Sequence, residues 1–170
     1  MTQHADNRVF LGLGANLGQP LEQLQEARKL LSRHRCIDIT ASSPLYRTPA
    51  LGGPAGQPDY GNAVLQLTTS LPPRELLDCC LEIEAACGRT RTARWAPRTL
   101  DIDLLFYGQT LIEEPGLVLP HPRLHVRHFV LLPLADLAPE LKHPRLNQTI
   151  GDLLHGLPAP EGICKIMEKW

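Results

Sequence analysis

Between Gly88 and Asp103 the chain reads GRTRTARWAPRTLDID. Arg89, Arg91, Arg94 and Arg98 crowd this stretch with no acidic residue among them, and Asp101 and Asp103 follow two positions apart. On a strand, residues i and i+2 share a face. Both carboxylates therefore point away from Leu100, Ile102 and Leu104, separated by about 7 Å along the strand. Two such carboxylates can share hard cations, with water and phosphate oxygens completing the coordination. Neighbouring guanidiniums offer forked donors to phosphate. The combination suits a polyphosphate held through divalent metal on one side and by arginine on the other.

Two further segments carry chemistry. Thr48 to Asn62, TPALGGPAGQPDYGN, is a shaped loop that ends in Tyr60 and Asn62 as a strand begins. A ring with a stacking face beside an amide that both donates and accepts suits a flat, hydrogen-bonding heterocycle. Pro120 to Phe129, PHPRLHVRHF, contains His121, His125 and His128. A zinc site is disfavoured there, because no cysteine or H-E-x-x-H partner accompanies them and Arg123 and Arg127 repel a cation. Anion contact by His121 and Arg127, with Phe129 as a ring wall, is the more economical reading. LGLGANLG at Leu11 to Gly18 lacks the spacing of a dinucleotide loop, and no G-x-x-x-x-G-K-[ST] occurs.

Periodicity places these segments on elements. Val9 to Leu13 is a short apolar run closed by Gly12, Gly14 and Asn16, which predicts a buried strand and a turn. Pro20 opens a helix with Leu21, Leu24, Ala27, Leu30 and Leu31 on one face. Cys36 to Ser42 and Asn62 to Thr68 alternate as strands. Pro72 and Pro73 open a second helix striped by Leu76, Leu77, Cys80, Leu81, Ile83 and Cys87, with Gly88 at its left-handed end. Leu100 to Phe106 is the next strand, with Leu100, Ile102, Leu104 and Phe106 expected on one face. A hairpin over Tyr107 to Leu119 and a short helix near Val126 to Leu137 follow. Strand, helix, strand, strand, helix, strand is the ferredoxin-like order, expected as an antiparallel sheet with helices on one side.

Composition bounds the partners. The 170 residues carry a formal net charge of -1, which does not support binding driven by a basic footprint. No apolar run is long enough to cross a bilayer and the N-terminus does not read as a secretory signal, so a cytoplasmic location is expected. Five cysteines without a C-x-x-C pair read as small core residues and not as a disulfide framework. Sixteen prolines, concentrated in Pro44 to Pro73 and Pro115 to Pro144, indicate long stiffened loops of the functional kind.

Taken together, LGLGANLG, SSPLYRTPALGG, QPDYGNAV, IEAACGRTRTARWAPRTLDIDLLFYG and LPHPRLHVRHFVLLPLADLAPEL resemble the 6-hydroxymethyl-7,8-dihydropterin pyrophosphokinase family over nearly the whole chain. The resemblance implies a single domain over 1–170 with a ferredoxin-like βαββαβ core in a three-layered α-β-α arrangement, of α+β class, with an extra hairpin and short helix near the C-terminus. It implies transfer of the β,γ-diphosphate of ATP to the 6-hydroxymethyl oxygen of the pterin, with release of AMP. Asp101 and Asp103 match the aspartates that hold two Mg2+ ions, and Arg89 and Arg98 match catalytic arginines. Glu84, Arg91, Trp95, Leu104, His121 and Arg127 are implied on the nucleotide side. Thr48, Pro49, Leu51, Tyr60, Asn62 and Phe129 are implied around the pterin, with Tyr60 and Phe129 as the sandwiching rings.

The chain departs from the family pattern at Ala96, where glycine is usual, at Ala15 and at Leu81. The expected partners are ATP and hydroxymethyldihydropterin, with no nucleic acid and no membrane, in a monomer. An RNA-binding module is the rival from another class. It calls for aromatic residues on the central strands, where this chain has Leu, Ile, Val and Ala. An idle scaffold is the other rival, and it has no need of the Arg89, Arg98, Asp101, Asp103 set.

Overall fold

The computed structural model describes residues 8–16, 18–50, 55–88 and 100–170. In β1 (Val9–Ala15), Val9, Leu11 and Leu13 enter one hydrophobic cluster and Phe10 enters another, so the strand lies between two cores. Helix α1 (Pro20–Arg33) has proline in its first turn, where a missing N–H is not needed. It buries Leu24, Ala27 and Leu31.

β2 (Ile37–Ser42) and β3 (Leu45–Thr48) occupy one position in the sheet, both antiparallel to β4 (Tyr60–Thr69). Pro44 separates them because it has no N–H for the ladder. Ser43 satisfies the backbone at the break. Its N–H donates to the Val64 carbonyl at 2.9 Å, its hydroxyl accepts the Val64 N–H at 2.8 Å, and its carbonyl accepts the Trp170 indole N–H at 2.7 Å.

Helix α2 (Pro73–Ala86) stops at Cys87 and Gly88, whose φ of 81° needs a residue without a Cβ penalty. Then come β5 (Asp101–Tyr107) and the two-stranded hairpin β6 (Ile112–Glu114) and β7 (Leu117–Leu119). A 3-10 turn (Leu124–Val126), α3 (His128–Leu137), α4 (Ile150–His155) and β8 (Cys164–Met167) complete the described chain.

The main sheet runs β5-β1-β4-β3-β8, with β2 also paired to β4. The series β1, α1, β2 with β3, β4, α2, β5 is the expected ferredoxin-like core. Helices cover both faces, as the three-layered arrangement implied by the resemblance requires and unlike the one-sided packing expected from strand order alone. Helices α3 and α4 pack Val130, Leu131, Leu134, Ile150 and Leu153 against Phe10, Val64, Leu105 and Phe106, opposite α1 and α2. One point differs from the sequence expectation: Phe106 is not on the face of Leu104. Phe10 pairs with Phe106 but Leu11 pairs with Leu104, so Leu105 is an extra residue in β5. This bulge reverses the alternation and brings Phe106 edge-on to Phe10, ring centroids 6.3 Å apart.

The second core also holds a buried histidine. His143 accepts the N–H groups of Arg145 and Leu146 on Nδ1 at 3.2 Å and stands edge-on to Phe106. Burial, followed by the neighbouring His125 and Arg145, holds it below its ordinary value of 6.5. The unfolded chain therefore binds a proton between 6.5 and that lower value while the folded chain does not. Stability rises with pH across that window and falls on acidification. We expect urea midpoints to drop between pH 7.5 and pH 5, and His143→Asn, which keeps an acceptor but cannot titrate, to reduce the slope by up to about one proton.

Candidate functional site

Pairing across the sheet sets the site. Gly14 lies opposite Asp101 of β5 and Asn62 of β4, and Gly12 lies opposite Asp103 and Val64. Cross-strand partners share a face, so two glycines stand between the aspartates on one side and Asn62 on the other. Strands are about 4.8 Å apart, which leaves about 10 Å between Asp101 and Asn62 with no side chain in the way. The result is a trough on the α3 face of the sheet. Gly12 and Gly14, expected from sequence to close the apolar run into a turn, lie inside β1. Glycine alternating with leucine inside an apolar run is the signal that could have marked a close approach.

A cavity of about 670 Å3 opens on this trough. Asp101, Asp103, Thr48, Pro49, Tyr60, Asn62, Arg127 and Phe129 all line it, together with residues that the sequence does not assign to the site, among them Gln57, Arg123 and Val126. The two aspartates thus face one space, which the two-residue spacing on a strand requires. Arg89, Arg91, Arg94, Trp95, Arg98 and Leu51 lie outside the described residues.

On the heterocycle side, the amide of Asn62 donates to the Thr48 hydroxyl at 2.6 Å, and both side chains are buried. That bond fixes which end of the amide faces Gly14: a Cβ built there would sit 2.7 Å from Asn62 Oδ1. Asn16, 1% exposed, donates to Gln57 Oε1 and to the Pro58 carbonyl at 3.2 Å, which ties the end of β1 to the loop entering Tyr60. Arg127 lies over the Phe129 ring, 5.5 Å from its centroid.

Three residues assigned to the nucleotide side stand elsewhere than on the cavity lining. Leu104 is 5% exposed and packs in the α1–α2 core, because it shares the face of Leu100 and Ile102. Glu84 is 2% exposed and its carboxylate accepts the Ile102 N–H at 2.7 Å, so it holds β5 in place between the two aspartates. His121 is held beside the cavity by the bulge, its N–H donating to the Leu105 carbonyl at 2.9 Å. Its Nδ1 accepts the Arg123 N–H at 3.2 Å, which leaves the proton on Nε2. Burial first, then the charge of Arg127, push His121 down to about 4 against the opposing pull of Asp101. At neutral pH the ring is a neutral donor.

The donor set fits a cation shared with a ligand. Among the described residues no group of three or more His, Cys, Asp or Glu side chains could hold a metal by itself. Two carboxylates facing one open cavity match Mg2+, which keeps waters and takes phosphate oxygens instead of an all-protein cage.

A family profile described as 7,8-dihydro-6-hydroxymethylpterin-pyrophosphokinase matches residues 10–139. The chain is 47% identical over 159 residues to the 2-amino-4-hydroxy-6-hydroxymethyldihydropteridine pyrophosphokinase of Pseudomonas aeruginosa, covering 94% of this chain and 96% of the relative. It is 38% identical over 137 residues to the protein of the same name from Bacillus subtilis, covering 81% of each. Its fold is similar to that of a Plasmodium falciparum HPPK-DHPS crystal structure, with a TM-score of 0.69 at 17% identity over 88% of this chain. The chain spans 43% of that longer solved chain.

Proposed function

The chain belongs to the 7,8-dihydro-6-hydroxymethylpterin-pyrophosphokinase family, and we propose from this that it transfers the β,γ-diphosphate of ATP to the 6-hydroxymethyl group of 6-hydroxymethyl-7,8-dihydropterin, yielding the pterin diphosphate and AMP. The observation that carries the reading is the trough itself: acids for cations at one edge, an ordered amide and rings at the other, and a bare glycine floor between.

Asp101 and Asp103 would hold two Mg2+ ions, which when bound neutralise the phosphates and favour charge build-up on the transferred group. Asn62, fixed by Thr48, reads the edge of the pterin, while Tyr60 and Phe129 flank its faces and Pro49 and Leu51 line the pocket. Arg127 and the Nε2–H of His121 meet phosphate oxygens. Arg89 and Arg98 act as catalytic arginines, and Arg91 and Trp95 close over ATP. The hydroxymethyl oxygen bonds to the β-phosphorus as the bond to the AMP oxygen breaks, and Asp103 takes the hydroxyl proton. Covalent work by the protein is small, so holding the two substrates in line accounts for most of the rate. Glu84 serves as a positioning residue through the Ile102 N–H.

The same proposal takes 1–170 as one pyrophosphokinase domain. Beyond the matched residues, Ile150 and Leu153 of α4 enter the second core and Trp170 packs on the first. No helix of the described residues is long and apolar enough to cross a membrane, and all five cysteines are free thiols. We take the protein to act as a monomer in the cytoplasm, without nucleic acid. The deciding experiment mixes purified protein with ATP, Mg2+ and hydroxymethyldihydropterin. AMP and pterin diphosphate are expected in equal amounts; ADP in place of AMP, or no turnover, overturns the reading.

A further inference from the structure

One cationic side chain on the cavity wall has no role in the reading above. Arg123 and Arg127 are four residues apart across the 3-10 turn Leu124–Val126, and both line the cavity together with Val126. The turn therefore presents Arg123, Val126 and Arg127 to one space. That space holds Asp101 and Asp103 on the strand side.

The two arginines are held differently. Arg127 is placed over the Phe129 ring. The backbone of Arg123 is fixed, since its N–H is bonded to His121 Nδ1 at 3.2 Å, but its side chain is exposed. Among the described residues its guanidinium enters no hydrogen bond or ion pair. A guanidinium on the cavity wall, with no hydrogen-bond or ion-pair partner among the described residues, can turn to a ligand without giving up a described contact. Its planar fork matches two oxygens of one phosphoryl group.

We infer that Arg123 is a further diphosphate-holding residue, which binds the anionic end of the nucleotide and of the product. This inference rests on the reading of the site as a pyrophosphokinase. The chemistry it names is a contact made equally in the ground and transition states. It lowers KM for the nucleotide and slows departure of the diphosphate product without raising the rate of the chemical step.

The test uses Arg123→Gln and Arg123→Lys with the full chain. Calorimetric titration with inorganic diphosphate and Mg2+ should show affinity lowered by about tenfold in Arg123→Gln, the order expected for one charge-assisted hydrogen-bonded pair. Partial recovery is expected in Arg123→Lys, which keeps the charge but loses the fork. KM for ATP should rise by a similar factor, with kcat within about twofold and pterin affinity unchanged. The exposed position predicts an unaltered thermal midpoint, so a folding defect would be visible separately. Unchanged diphosphate affinity in Arg123→Gln overturns the assignment, as does a fall in kcat with KM untouched. Failure of the underlying reading has a different signature: wild-type protein that makes no AMP. The diphosphate titration does not depend on turnover.

Discussion

Asp101→Ala and Asp103→Ala should each lower the rate of AMP formation by about three orders of magnitude, with the fold intact. Several kcal/mol of charge stabilisation on the transferred phosphoryl group are lost with a cation that one carboxylate cannot hold alone. The two side chains share a face and a cavity, opposite Gly14 and Gly12, so neither has a role in either core. Circular dichroism and the urea midpoint should stay near wild type. The Mg2+ dependence of the residual rate is the sharper readout: each variant should need far more metal for half its maximal rate. A near-normal rate in either variant would refute the assignment of both acids to cations.

The second large effect comes from a residue with no chemistry of its own. Gly14→Ala places a methyl 2.7 Å from Asn62 Oδ1. Asn62 can withdraw only by giving up its 2.6 Å bond to Thr48, and both groups are buried. We expect KM for the pterin to rise by about 10- to 100-fold, since a site built to hydrogen-bond a ligand loses most when its polar groups are misaligned. Stability should fall by about 1–3 kcal/mol. KM for ATP should move little. If the pterin and nucleotide constants shift together, Gly14 supports the sheet and not the heterocycle pocket.

How much of this was legible in the sequence depended on where local pattern and long-range pairing agree. The helices α1 and α2 announced themselves through proline at the start and apolar stripes, and Gly88 marked an end through its backbone freedom. The face shared by Asp101 and Asp103 followed from strand geometry alone. β3 was missed because Leu45–Thr48 is too short for an alternation to declare itself after Pro44. β8 is four residues long and mostly exposed, so its pairing with β3 is invisible without the sheet. Leu105 defeated the period-two reading of β5, since a bulge is a property of two strands and not of one. Glu84 is expected on the nucleotide side, and the structure adds a bond that its carboxylate accepts from the Ile102 N–H, which no local pattern shows. A polar residue on a helix does not show in sequence whether it faces solvent, a ligand or a neighbouring strand.

The extra residue at Leu105 makes the two halves of β5 answer to different parts of the molecule. Ahead of it, a one-residue deletion or insertion would swing Asp101 and Asp103 into the oil of the α1–α2 layer and bring leucines up to the cavity. Behind it, the same change would unseat Phe106 and leave the acids where they are. Length changes in this strand should therefore sort cleanly by position: those before Leu105 silence the enzyme, and those after it soften the protein without touching its reaction centre.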